Sequence, residues 1–181
     1  MLFAQIDPMT EAEFVALGET GQRHEVIDGV LLTRPAPDLR HQRISARLRL
    51  ALDEAVPNGC EVLGPINLRL AIDRIVIPDI SVLTTPGGDK LVASAAEVLM
   101  MIEIVSPSTE PLDRILKPAL AAESRIPFYG LVEPDGPTVT ISALDGDGYR
   151  VVTKATGDEP LALTQPFPLD FRPADLLATR R

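Results

Sequence analysis

Cysteine occurs once in the 181 residues, at Cys60. A single thiol cannot close an internal disulfide, and no Cys/His cluster offers a zinc site. Cys60 has no histidine near it in sequence, which leaves it a structural role. The cytoplasm is then the default compartment. No apolar run approaches the ~20 residues that a membrane-spanning helix needs. The opening "MLFAQIDPMTEAEF" lacks a basic stretch and carries acids early, so no signal peptide is expected. Basic residues are outnumbered, 17 against 26, for a net charge of −9. This argues against loose binding to a nucleic-acid backbone, which needs a positive footprint, but leaves room for a local basic patch. There is no G-x-S-x-G elbow and no phosphate-cradling loop. The 17 prolines and 12 glycines are dispersed, without a linker or repeat. The length fits one domain over residues 1–181.

What is present is a sequence of short elements. "TEAEFVAL" predicts a helix, with Thr10 and Glu13 in capping-box spacing. "RHEVIDGVLLT" predicts a hairpin around Asp28-Gly29. "LRHQRISARLRLALDEAV" is the clearest helix, with Ile44, Leu48, Leu52 and Ala55 at helical spacing. "CEVLG", "INLRLAI" and "RIVIPDISVL" predict three strands, the last two joined by a tight turn. "VLMMIEIV" predicts a strand buried on both faces. A helix over "LDRILKPALAAES", a strand at "IPFYGLV" and a hairpin from "TVTISAL" to "GYRVVT" follow, and "PADLL" predicts a last helical turn. The order gives an α/β (α+β) fold, a mixed sheet flanked by helices with a hairpin near each end.

Four ionisable residues sit in unusual company. Glu103 lies among Met100, Met101, Ile102, Ile104 and Val105, where an unpaired charge would cost several kcal/mol or more. Asp79 also breaks an apolar run, and Pro78 beside it cannot donate to a sheet ladder, so an interruption is expected there. Glu25 lies on the first hairpin and Lys117 on the helix after Glu103. Carboxylates converging at strand ends form an oxygen-rich site suited to Mg²⁺ or Mn²⁺. A lysine nearby would stabilise developing negative charge or orient a water. Acids and a lysine around a divalent cation suit phosphodiester hydrolysis.

The stretches "HEVIDGVLL", "PAPDLRHQRIS", "IPDISVL", "IEIVSPST" and "DRILKPAL…IPFYGLVEP", in this order, resemble the Uma-type putative restriction endonucleases of bacteria. That family lies within the PD-(D/E)xK nuclease superfamily. The resemblance spans roughly Gln22 to Tyr149 and implies a restriction-endonuclease-like core and a metal-dependent DNA endonuclease. It implies that Glu25, Asp79 and Glu103 hold Mg²⁺ and that Lys117 assists the attacking water or the scissile phosphate. Val105 stands where the superfamily places its lysine; in the resembling family the lysine moves to the following helix, where Lys117 stands. The sequence departs from the family's usual aromatics at His24, Ala121 and Gly130. The resemblance also points to homodimers.

Each residue has a plainer reading alone. Glu103 could pair with a core arginine, Asp79 could sit at a strand edge, and Glu25 could face solvent. Lys117 could pair with Asp113 four residues before it, for ~0.2–0.5 kcal/mol. Arg40, Arg43 and Arg47 share a ~60° arc of the long helix, either a phosphate-contact stripe or a solvated face. His41 falls near the apolar face, where it would pack or hydrogen-bond at the rim of the expected site; the resembling family has a His there too, which implies a role beside the phosphate. Besides the nuclease, two functions stay open: an idle nuclease-fold binding or regulatory module, and a phosphoesterase acting on small nucleotides.

Overall fold

The computed structural model describes residues 8–18 and 21–178. Helix α1 (Glu11–Ala16) starts at Thr10, whose side chain and that of Glu13 form the reciprocal capping box. Strands β1 (Arg23–Ile27) and β2 (Val30–Arg34) are joined by Asp28 and Gly29, both at positive φ, +51° and +78°. This pair of angles is that of a type I′ turn, which matches the twist of a hairpin. Gly29 is needed twice over, because a Cβ there would lie 2.3 Å from Pro8 Cβ.

Helix α2 (Leu39–Ala55) opens at Asp38, whose Oδ1 accepts the His41 N–H at 2.8 Å. It buries Ile44, Leu48 and Leu52, the expected stripe. Each such side chain contributes about 1.5–3 kcal/mol of burial. Strands β3 (Glu61–Leu63), β4 (Asn67–Ala71), β5 (Arg74–Val76), β6 (Ile80–Leu83), β7 (Val92–Ser94) and β8 (Val98–Ile104) follow. Helix α3 (Lys117–Glu123) leads to β9 (Phe128–Glu133), β10 (Thr138–Asp145), β11 (Gly148–Thr156), β12 (Leu161–Leu163) and β13 (Leu169–Phe171).

The strands form a five-stranded sheet ordered β2-β1-β5-β4-β7, a six-stranded sheet ordered β11-β10-β9-β8-β6-β3, and a β12-β13 pair. Helix α2 and the β12-β13 pair share one core with Ile80, Val82, Met100, Ile102 and Ile104. A second core, on the other face of β8, joins Met101 to Leu68 and Val76 of the smaller sheet and to Leu120 and Ala121 of α3. Alternation along β8 puts Glu103 on the Met101 side, toward the smaller sheet and α3.

Two expectations need correction, and three short strands were not expected. "RIVIPDISVL" is not one strand: β5 belongs to the smaller sheet and β6 to the larger. Pro78 brings no N–H, and the Ile77 N–H bonds Glu25 instead of a strand, so the chain changes sheets there. The helix expected over residues 112–124 is not uniform. Leu112–Leu116 is a widened π turn, in which the Lys117 N–H reaches the Leu112 carbonyl. Pro118 lacks the N–H that an α-turn would use, and it falls at the start of α3, where that loss is tolerated. Finally, β7, β12 and β13 go unread in the sequence; each is only three residues long.

Candidate active site

Glu103 is 2 % exposed, at the C-terminal end of β8. Its partner is Lys117, fully buried at the first turn of α3, with Nζ 2.6 Å from Glu103 Oε1. The same ammonium lies 2.9 Å from Glu25 Oε1 and 3.9 Å from Asp113 Oδ1. Burial alone would drive the Lys117 ammonium to neutrality, but Glu103 and Glu25 outweigh it and raise its affinity for the proton. Burial pushes Glu103 well above the usual carboxylate range, with Asp79, Asp113 and Glu25 adding like-charge repulsion against the pull of Lys117. Burial also acts to raise Glu25, yet Lys117, Arg34 and the Ile77 N–H together hold it low. Glu103 and Glu25 thus share one ammonium, with the proton affinity of Glu25 held low and that of Glu103 pushed up.

Asp79 sits just before β6. The register pairs Ile80 with Ile102, so Asp79 and Glu103 come to the same end of the larger sheet. Asp79 Oδ2 accepts the Ile104 N–H at 2.9 Å and lies 3.0 Å from His41 Nε2. Its Oδ1 is 3.4 Å from Arg23 Nη1. Burial opposes ionisation of Asp79, and the His41 hydrogen bond, with the charge of His41 and the Ile104 N–H, reverses this and lowers its pKa.

Glu25 does not face outward as a spare ligand. Its Oε1 takes Lys117 and the Ile77 N–H at 2.8 Å, and its Oε2 takes Arg34 Nε at 2.5 Å. Service as a metal ligand would require breaking those bonds. Arg34 is a member of the cluster that the sequence did not reveal, and Asp113, read there only as a helical partner of Lys117, is buried with it. Arg34 Nη1 is 3.5 Å from Asp113 Oδ1, too far for a hydrogen bond. Both Arg34 Nη2 and Asp113 Oδ1 are buried without a hydrogen-bond partner among the described residues. Asp113 is otherwise fixed, with Oδ2 bonded by the Thr109 hydroxyl and its carbonyl by the Tyr129 hydroxyl. The signal for Arg34 lay in the hairpin. The register pairs Arg23 with Arg34 and Glu25 with Leu32, so Arg34 is the diagonal neighbour of Glu25.

A cleft of about 490 Å³ opens above the cluster, between the start of α2, the segment after β8 and the β9–β10 turn. Asp79, His41, Arg34 and Asp113 line it, whereas Glu25, Glu103 and Lys117 lie beneath. Of Arg40, Arg43 and Arg47 only Arg40 reaches its wall; Nη1 is 2.5 Å from Asp135 Oδ1, and Nη2 bonds the Pro134 carbonyl. Arg43 is exposed, and Arg47 donates to the Asp175 carbonyl at 2.6 Å. The departures from the family's aromatics are also placed. His24 Nδ1 lies 3.0 Å from Thr33 Oγ1. Ala121 is packed in the second core with Tyr129. A Cβ at Gly130 would meet Ile102 Cγ1 at 2.8 Å.

A mixed sheet flanked by helices, with acids gathered at the ends of its central strands, is the restriction-endonuclease-like class of fold. A crystal structure of a putative nuclease belonging to DUF820, from Anabaena variabilis, matches it with a TM-score of 0.74. That match covers 94% of this chain and 98% of the other at 23% identity, a likeness of fold. An uncharacterized protein of Synechocystis sp. is 26% identical over 147 residues, 78% of this chain and 77% of its own length. Residues 11–179 match the Uma2 family, described as putative restriction endonuclease, and the chain belongs to that family.

Proposed function

We propose that the chain hydrolyses phosphodiester bonds of DNA with the aid of one hard divalent cation, Mg²⁺ or Mn²⁺. The observation that carries this reading is the meeting of Asp79 and Glu103 at one end of the larger sheet, with the Lys117 ammonium 2.6 Å from Glu103 and a cleft above them. The donors are all oxygen, as such a cation prefers. Among the described residues no three His, Cys, Asp or Glu side chains close into one shell. That count still fits Mg²⁺, which commonly takes one or two carboxylates and completes its shell with water and substrate phosphate. Asp79 and Glu103 would hold it, and Glu25 would keep Lys117 in place. A bound divalent cation would neutralise charge on the phosphate and acidify a water. His41 and the Ile104 N–H fix the Asp79 carboxylate. Lys117, anchored by Glu25, stabilises negative charge developing on phosphate or orients the attacking water. The superfamily resemblance points to 5′-phosphate and 3′-hydroxyl products.

The tight Lys117–Glu103 contact favours a second reading, in which the fold binds without cleaving. One assay separates the two. Purified protein with Mg²⁺ or Mn²⁺ should cleave labelled DNA, and Asp79→Asn and Glu103→Gln should each abolish cleavage. Lys117→Ala should slow turnover while metal binding, read by calorimetry, persists. Wild-type protein that binds DNA but never cuts it with either metal would favour the second reading.

A further inference from the structure

We infer that the substrate enters as a short unpaired stretch or a strand end rather than as the side of a duplex, an inference that rests on the nuclease reading above. The first observation is depth. Asp79, on the cleft wall, is only 6 % exposed, and Glu103 behind it only 2 %, so the reacting phosphate must descend into the cleft to approach Asp79. A duplex is stiff over ~150 base pairs and resists the kink that would push one phosphate inward. A single strand bends freely, and a strand end meets still less hindrance.

The second observation is charge at the cleft. Asp38, Asp79, Glu110, Asp113, Glu133 and Asp135 line it, against four arginines. The outer arginines are already committed. Arg40 is paired with Asp135, and Arg114 lies 2.9 Å from Glu110 and 2.6 Å from Glu133. A duplex lying across this mouth would bring its two dense rows of phosphates against those acids. A thin strand threading past them presents far fewer charges. The third observation is chemical: no Phe, Tyr or Trp side chain is among the described residues that line the cleft, and its one imidazole, His41, is engaged with Asp79. Strand-binding grooves that hold long runs stack successive bases on aromatics. This cleft therefore grips the backbone of a few nucleotides. Its volume is that of a small-molecule site, within the usual ~300–1,000 Å³.

The test uses the full chain with Mn²⁺ and three labelled substrates: a short single strand, the same strand annealed to its complement with blunt ends, and a dinucleotide. Cleavage of the single strand should exceed that of the duplex on the order of tenfold, with the dinucleotide also cut. Equal or faster cutting within the duplex would overturn the inference. If nothing is cut, the nuclease reading fails separately, and fluorescence anisotropy in Ca²⁺ decides this one. Tighter binding of the single strand sustains it; tighter or equal binding of the duplex, or binding of neither, ends it. An Asp135→Lys variant, which reverses one rim charge and removes the ion-pair partner of Arg40, should strengthen duplex binding. An unchanged duplex affinity in that variant would remove the charge argument.

Discussion

Lys117 is wholly buried, and its ammonium is the hub of the cluster. An exposed lysine at the same spacing from Asp113 would be worth a few tenths of a kcal/mol. Here its loss strands Glu25 and Glu103 in the interior. Breaking one side of a buried pair in this way destabilises by about 3–5 kcal/mol. Lys117→Ala should therefore lower the denaturation midpoint by that much, and adding Glu103→Gln should restore part of it. Strict additivity of the two changes would show that the residues do not interact. The acids then separate by pH. Glu103 is raised above its ordinary 4.5 by burial, so the stability linked to it is fully present below that pH and is lost as pH rises toward its folded value. In metal-free buffer, Glu103→Gln should gain melting temperature relative to the wild type as pH rises from about 4.5 to 8. Glu25 is held below 4.5, so its contribution is present above that pH and lost as pH falls through its folded value. Glu25→Gln should thus cost most near pH 7 and progressively less as pH falls below 4.5. Mg²⁺ should raise the wild-type melting temperature by linkage but leave Glu103→Gln unmoved. A rise of equal size in that variant would place the ion elsewhere.

At the scale of elements, what was legible followed short-range rules. The Asp28-Gly29 turn, the capping box at Thr10 and the stripe of α2 each depend on residues within four positions of one another, and the structure carries all three. Asp79 and Glu103 were legible because a charge inside an apolar run is conspicuous. Asp113 was not, because helical spacing to Lys117 suggests a solvated pair; nothing local announces the π turn that precedes Lys117. The split of β5 from β6 was half legible. Pro78 signals an interruption, but which sheet each half joins depends on distant partners. Gly130 is a further case, since its meaning lies across the sheet. Its cross-strand neighbours are Ile102 and Ile141, and both crowd the space a Cβ would take. Gly130→Ala should destabilise by about 1–3 kcal/mol through overpacking. Ile102→Ala in the same chain should recover part of that loss by opening the space. A Gly130→Ala midpoint equal to wild type in urea would mean that the two isoleucines yield freely.

At the scale of the molecule, the deciding quantity is how little free positive charge the chain offers. The net charge is −9, and the arginine stripe of α2 is mostly spoken for. Arg40 is tied to Asp135 and Arg47 to the Asp175 carbonyl, leaving Arg43 exposed with no ion pair among the described residues. One copy then makes few phosphate contacts, and its affinity should fall only gently as salt rises, by a slope near one per contact. The expected homodimer would change this without any new contact. A two-fold pair places two clefts and two stripes on one nucleic acid, and the second engagement proceeds at a raised effective concentration. Replacing Arg40, Arg43 and Arg47 together by alanine should therefore weaken DNA binding more in the dimer than in a monomer, and should flatten the salt slope. Light scattering at low micromolar concentration gives the state of assembly, and a salt titration by anisotropy gives the slope. A monomer whose affinity ignores the triple substitution would take these arginines out of the interface and leave DNA to the cleft alone.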